Sequence, residues 1–280
     1  MKTRSPSTSV NLNPSDISIL RIAGFGGCLI SGYPHEGGGL FEVACGMIET
    51  SLSQTLQSTI VSLVAPPAPC VTKHLEKALD FNPHYVVLQF GATDARCPIR
   101  RRSVYHHSES STVGASRPIL TVETLTRETA SRHGRPASAL SLLRWEIASL
   151  LGHIRKIKPI TPLFRYVAAI ECMVEDCLTT GSTPVVLSPF GYGSRYSMKN
   201  AICYSNALHE LYASAPDVIF VDCIRLLADF PRRLIFQHDG IHLSRMAQKL
   251  IGGAVGQAIL EDILRKNAFD AVGALGMGIL

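Results

Sequence analysis

Nowhere in the 280 residues does an apolar run approach the roughly 18 positions that a membrane-spanning helix needs, so a span is excluded and a soluble chain is expected. The first 16 residues lack the apolar stretch and small-residue cleavage site of a secretory signal. Rich in Ser, Asn and Pro, they read as a flexible lead. Eight cysteines (28, 45, 70, 97, 172, 177, 203 and 223) include no C-x-x-C pair. Most stand inside apolar runs, as buried free thiols do, which sets the expectation of a reducing, cytoplasmic location. No Gly-Lys-Ser/Thr follows Gly37-Gly38-Gly39, so this glycine run is only superficially a phosphate cradle.

Charge is scarce as well, at 18% of residues, and it is unevenly placed. Residues 95–136 hold eight arginines and three glutamates, a net charge of +5 that equals that of the whole chain. The remainder is therefore neutral. This segment is rich in Ser and Thr, and Tyr105 is its one aromatic residue, so no stacking platform for bases accompanies the charge. Nucleic acid is not expected as a partner; a small anionic ligand, an acidic partner or plain solvation of a loop accounts for the arginines. His106 and His107, close to Arg100, Arg101 and Arg102, could join in gripping an anion.

What is present is the alternation of a doubly wound α/β domain: short β-branched runs between stretches of helical period. With 46% hydrophobic residues, a chain this long can enclose a large core. Strands are predicted at 17–23, 59–64, 85–90, 184–188 and 218–222. The third, YVVLQF, is continuously apolar, as a strand buried on both faces is. Helices are predicted where Leu40, Phe41, Ala44, Met47 and Ile48 recur, and over 71–79, 138–154, 165–178 and 199–213, with Gly181 closing the fourth of these. A last helix follows the N-cap candidate Ser244, and its glycines 252, 253 and 256 imply that something packs closely there. One domain is expected over 17–266, with 95–136 as an insertion and 267–280 as a tail. There is no internal repeat.

Ligands of an open parallel sheet bind beyond the carboxyl ends of its strands. The first strand runs into Gly26-Gly27-Cys28-Leu29-Ile30-Ser31-Gly32, the third into Gly91-Ala92-Thr93-Asp94, and the loop after the fifth carries Asp239-Gly240-Ile241-His242. A thiol, a hydroxyl, carboxylates and an imidazole are thus expected on one rim. Cys172 and Cys177, five apart on one predicted helix, sit about 140° apart around its axis and cannot share a metal ion. No metal or cofactor is called for.

The element order, the spacing of Cys28 and Gly32, G-x-x-D at 91–94 and D-x-x-H-L at 239–243 resemble the SGNH (GDSL) hydrolase family. The resemblance spans roughly 17–264. It implies a three-layer α/β/α fold around a five-stranded parallel, flavodoxin-like sheet. It also implies a nucleophile after the first strand, a histidine base, His242, oriented by Asp239, and oxyanion donors from the first and third motifs. Asp239 and His242 match the family pattern fully, and Gly91 and Asp94 match its frame. Cys28 stands in place of the serine, Gly27 in place of the preceding aspartate and Thr93 in place of the asparagine, while 65–70 has no glycine for the oxyanion.

A thiolate can replace the hydroxyl, because it forms near neutral pH beside an imidazolium or a helix N-terminus. The resemblance therefore implies an esterase, thioesterase or acyltransferase acting through an acyl-cysteine on a small acyl substrate. Cys28, Asp239 and His242 would be catalytic, and Gly27, Gly91, Thr93 and Asp94 would form the oxyanion and substrate-binding wall. Ser31 is the second candidate nucleophile and His35 a candidate pocket wall. The other reading is a catalytically silent relative of this fold that binds an acylated or glycan-like ligand or a protein partner. Cysteine is also among the most buried residue types, so Cys28 taken alone reads more readily as core; its place between glycines at a strand end, with D-x-x-H elsewhere, brings the nucleophile reading level with that one.

Overall fold

The computed structural model describes residues 19–27, 29–31, 39–52, 55–63, 67–96, 158–191, 194–237 and 239–276, the last eight by backbone alone, together with helical positions 140, 143, 146, 147, 150 and 151. Among these, five strands form one parallel sheet: β1 (Ile19–Gly26), β2 (Thr55–Ser62), β3 (Tyr85–Gln89), β4 (Thr183–Leu187) and β5 (Ile219–Val221), in the order β2-β1-β3-β4-β5. The order reverses between β1 and β3, where Gly26 pairs with Gln89. Such a reversal opens a crevice at the carboxyl edge.

Position in the sheet explains which strands the sequence announces. All five residues of β3 are buried, because it lies between β1 and β4 under helices on both faces. β2 is an edge strand, half exposed along its first residues, so it begins at Thr55 rather than at the apolar signal from Thr59. Residues 17 and 18 of the predicted first strand lie outside the described residues.

Two helical layers sandwich the sheet. One face carries α1 (Leu40–Ser51) and α7 (Arg245–Gly276), with Leu40, Phe41, Ile48, Ile251, Val255 and Ile259 buried against Ile22 and Val87. The other carries α3 (Leu163–Thr179) and α4 (Arg195–Tyr212), packed on Ala23, Phe25, Val86 and Leu88. Short α2 (Glu76–Leu79), α5 (Cys223–Leu226) and α6 (Arg232–Ile235) complete the described elements.

Helix ends follow local chemistry. At the end of α3, Ser182 N–H bonds to the Cys177 carbonyl and Gly181 N–H to that of Leu178, with Gly181 at φ +79°, a left-handed cap that glycine adopts without strain. Ser194 accepts from Ser197 N–H and starts α4 four residues before the predicted position. The helix predicted over 71–79 is instead two 3-10 turns, Ala68–Cys70 and Thr72–His74, followed by α2. The first turn is held from outside the segment by Asp94, whose carboxylate accepts from Ala68 N–H at 3.0 Å.

Three expectations change. α7 runs on to Gly276, so residues 267–276 continue a helix rather than form a separate tail. The basic insertion does not begin at 95: Ala95 is fully buried, its carbonyl accepts from the Asn200 amide, and the Arg96 carbonyl accepts from Ile160 N–H. Cysteine burial holds for Cys45, Cys177 and Cys223, whose thiols burial pushes up to about 12, but Cys70, Cys172 and Cys203 are exposed. All six stand on helices or helical turns, where successive positions point roughly 100° apart, so an apolar neighbourhood in sequence does not bury each one.

Candidate active site

Asp239 and His242 stand on the loop between α6 and α7. Gly240, at φ +67°, lets the chain reverse, with its N–H on the Gln237 carbonyl at 2.9 Å. Asp239 Oδ1 then accepts from the backbone N–H groups of Ile241 (2.9 Å) and His242 (3.1 Å), which aims Oδ2 at His242 Nδ1, 2.5 Å away. Burial raises the Asp239 pKa, but the His242 hydrogen bond and charge and the two backbone donors outweigh it and bring the carboxyl to about 2. An ionised carboxylate only accepts, so Nδ1 carries the proton in this contact. Nε2 is therefore the basic nitrogen of the neutral ring, the atom able to exchange a proton with a reacting group.

Residues that the sequence did not single out hold this loop. The Leu243 carbonyl accepts from the side-chain amides of Gln237 (2.8 Å) and Gln248 (3.2 Å), both buried. Gln237 N–H in turn donates to the His242 carbonyl at 2.8 Å. Ser244 caps α7 by accepting from Ala247 N–H at 3.2 Å, and its hydroxyl donates to the Leu234 carbonyl at 2.5 Å, so one side chain ties α6 to α7. Only the Ser244 cap had a sequence signal. A glutamine that satisfies a carbonyl five or six residues away carries no spacing rule of its own.

At the ends of β1 and β3 the backbones approach closely. A methyl group on Gly26 would lie 2.5 Å from the Gln89 carbonyl, so the residue there must be glycine. Gly27 N–H donates to that same carbonyl at 3.2 Å, and its own carbonyl accepts from Ile30 N–H and the Ser62 hydroxyl. Its amide is engaged in the sheet edge. Cys28, Gly32 and His35 lie outside the described residues; Leu29 and Ile30, immediately after Cys28, are buried, and Ser31 is half-buried.

Gly91 adopts φ +106° with Pro189 and the Tyr166 hydroxyl against its α-carbon, and turns the chain after β3. Thr93 and Asp94 follow, both buried. Asp94 Oδ1 accepts from the Thr161 hydroxyl at 2.5 Å as well as from Ala68 N–H. Burial raises its carboxyl, these donors and the amides of the turn lower it, and the balance is about 6. Asp94 thus ties the loops after β2 and β3 together. Arg100, Arg101, Arg102, His106 and His107 lie outside the described residues. Cys172 is exposed and Cys177 buried, on different sides of α3, and no cluster of metal-ligating side chains occurs among the described residues. Nor does any described helix have the length and apolarity to cross a membrane.

No protein-family model matches the chain, and no curated protein does. Solved structures do. A lipase/acylhydrolase from Enterococcus faecalis superposes with a TM-score of 0.54 at 14% identity, over 86% of this chain and 95% of that one. A catalytic mutant of Axe2, an acetylxylan esterase from Geobacillus stearothermophilus, gives 0.52 at 12% identity, over 87% and 94%. A G-D-S-L family protein from Desulfitobacterium hafniense DCB-2 gives 0.50 at 13% identity, over 85% and 98%. The chain therefore has the five-stranded α/β fold of these hydrolases. At such identities the likeness is one of fold.

Proposed function

We propose that this protein is an acyl-transfer enzyme of the SGNH-hydrolase type, in which Cys28 is the nucleophile, His242 the general base and acid, and Asp239 its orienter. The observation that carries the reading is the Asp239–His242 contact: a carboxylate that remains ionised holds Nδ1 and leaves the proton-transfer role to Nε2, in a fold shared with a lipase and an esterase.

In the first half-reaction the Cys28 thiol gives its proton to His242 Nε2 and the thiolate adds to the acyl carbonyl. As the tetrahedral intermediate collapses, the bond to the leaving oxygen or sulfur breaks and His242 returns the proton to it, leaving an acyl-cysteine. Water, deprotonated by Nε2, then attacks the thioester carbonyl; the carboxylic acid departs and the thiol takes back the proton. An acceptor hydroxyl in place of water makes the same cycle a transfer. The Cys28 amide and the Thr93 hydroxyl are the oxyanion donors. Gly91 and Asp94 shape the turn that carries Thr93, and Gly27, with no side chain, leaves space beside Cys28.

The test is a panel of short-chain and long-chain p-nitrophenyl esters and acyl-thioesters with the full chain, and mass spectrometry of quenched reactions. Turnover with an acyl adduct on the peptide containing Cys28, lost in Cys28→Ala and His242→Ala, is expected. Thr93→Val should lower kcat about 10²–10³-fold, the effect of removing one oxyanion donor. No turnover and no adduct on any substrate would leave the silent, ligand-binding reading in its place.

A further inference from the structure

Gln89, the last residue of β3, is only 5% exposed, and its side-chain oxygen Oε1 is buried without a hydrogen-bond partner. Buried polar atoms are nearly always paired, so one that is not calls for an explanation. Alternation along β3 sets Gln89 on the face of Tyr85 and Val87, which belong to the same packed cluster as Leu243, the residue after His242. The mechanism proposed above makes no use of this side chain.

What Oε1 faces follows from the strand ends. The chain leaves β1 between β2 and β3, with Leu63 N–H on the Gly26 carbonyl and Gly27 N–H on the Gln89 carbonyl. A methyl group on Gly27 would lie 3.8 Å from Gln89 Oε1 and 4.0 Å from the Leu63 carbonyl oxygen; among the described residues, its chain neighbours apart, nothing else comes as near. Two oxygens, from the ends of β2 and β3, thus flank the space beside Gly27, in the crevice where the strand order reverses. A carbonyl oxygen only accepts, so a donor is what completes this pair. Consecutive α-carbons lie about 3.8 Å apart, so the space is one residue from Cys28 and takes an atom close to a carbonyl reacting there, not the far end of a chain.

We propose that Gln89 selects an α-hydroxyacyl group, whose hydroxyl enters the space beside Gly27 and donates to Oε1. A plain alkyl acyl group leaves that buried oxygen unpaired, whereas the hydroxyl pairs it, and the difference between the two is the specificity. Gly27 contributes by having no side chain in the way. In naming an acyl class the proposal rests on the acyl-transfer reading, but its test reads binding alone.

The probes are four phenyl ketones, which resemble phenyl esters but are not hydrolysed: α-hydroxyacetophenone with its isostere propiophenone, and α-methoxyacetophenone with its isostere butyrophenone. Their binding to the full chain is titrated by saturation-transfer NMR. The hydroxy ketone should bind about three- to tenfold tighter than propiophenone, the yield of one net hydrogen bond, and the methoxy ketone, which cannot donate, no tighter than butyrophenone. Gln89→Met, which removes the acceptor, and Gly27→Ala, which fills the space, should each bring the first ratio to about one. Circular dichroism checks that the variants are folded; should Gln89→Met not be, Gly27→Ala carries the test, since its methyl group meets Oε1 only at van der Waals distance. Equal binding of the hydroxy ketone and propiophenone, a preference for the methoxy ketone, a ratio unchanged in the variants, or no binding of any probe overturns the proposal. The expected preference in a chain that turns over no ester would uphold the Gln89 site and refute the acyl-transfer reading.

Discussion

Adjacent glycines of α7 offer a severe test of how its packing is read. A methyl group at Gly252 would lie 2.4 Å from the Leu40 carbonyl oxygen and 2.7 Å from Val43 Cβ, whereas one at Gly253 meets nothing within 4 Å. Both substitutions to alanine bring the same helix-propensity gain, about 1 kcal/mol, because backbone, not context, is what glycine leaves loose. At Gly253 that gain stands alone, so Gly253→Ala should stabilise by about 0.5–1 kcal/mol. At Gly252 the new atom strikes main chain of α1, which cannot rotate away, and overpacking typically costs about 1–3 kcal/mol. Gly252→Ala should therefore be neutral to destabilising by about 2 kcal/mol. At roughly 2–4 °C per kcal/mol for a domain of this size, the two variants should differ in Tm by several degrees, readable by calorimetry or thermal circular dichroism. The consequence extends to the site: α1 begins after the Cys28 loop and α7 directly after His242, so separating the helices at Gly252 should also lower turnover. Equal melting temperatures for the two variants would refute the close approach of α1 and α7.

Asp94 sets a second expectation. Its folded pKa of about 6 lies above the unfolded value near 3.9, so the folded state is favoured while the group is protonated and loses about 2 kcal/mol as pH rises from 4 to 6. Asp94→Asn should remove that slope from urea-denaturation profiles across this range, and parallel profiles for the two proteins would refute it. Replacing residues 97–136 by a short Gly/Ser linker, with Ala95 and Arg96 kept because both are tied into the core, should leave a cooperatively melting protein; aggregation or loss of most helicity would place the segment in the core. Limited iodoacetamide labelling with peptide mapping should show Cys28 ahead of the exposed Cys70, Cys172 and Cys203, the buried Cys45, Cys177 and Cys223 last, and the lead of Cys28 abolished by His242→Ala. Labelling of Cys28 no faster than the exposed three would make it packing material.

What the chain states for itself is what a few neighbouring residues decide. The burial of β3 is written in five consecutive apolar or half-apolar residues, the end of α3 in Gly181, the start of α7 in Ser244, and the Asp239–His242 pair in a three-residue spacing that one turn of backbone closes. The position of β2 at the sheet edge blurred its first four residues, because a strand exposed on one side has no continuous apolar run. Tertiary structure decided everything whose partners are remote. Asp94 stands in a motif that suggested a place in the substrate wall, yet its carboxylate meets Ala68 and Thr161, 26 and 67 residues away. Three glycines on α7 announced a close neighbour, but only the placement of α1 distinguishes Gly252 and Gly256, which touch it, from Gly253, which does not. Glu146 likewise meets Arg195 and Arg232, 49 and 86 residues further on, a pairing that no local spacing announces. Local signals survive in the sequence because hydrogen-bond geometry within a turn is fixed by the backbone; contacts closed by long loops are chosen by the packing of the whole sheet and its two helical layers.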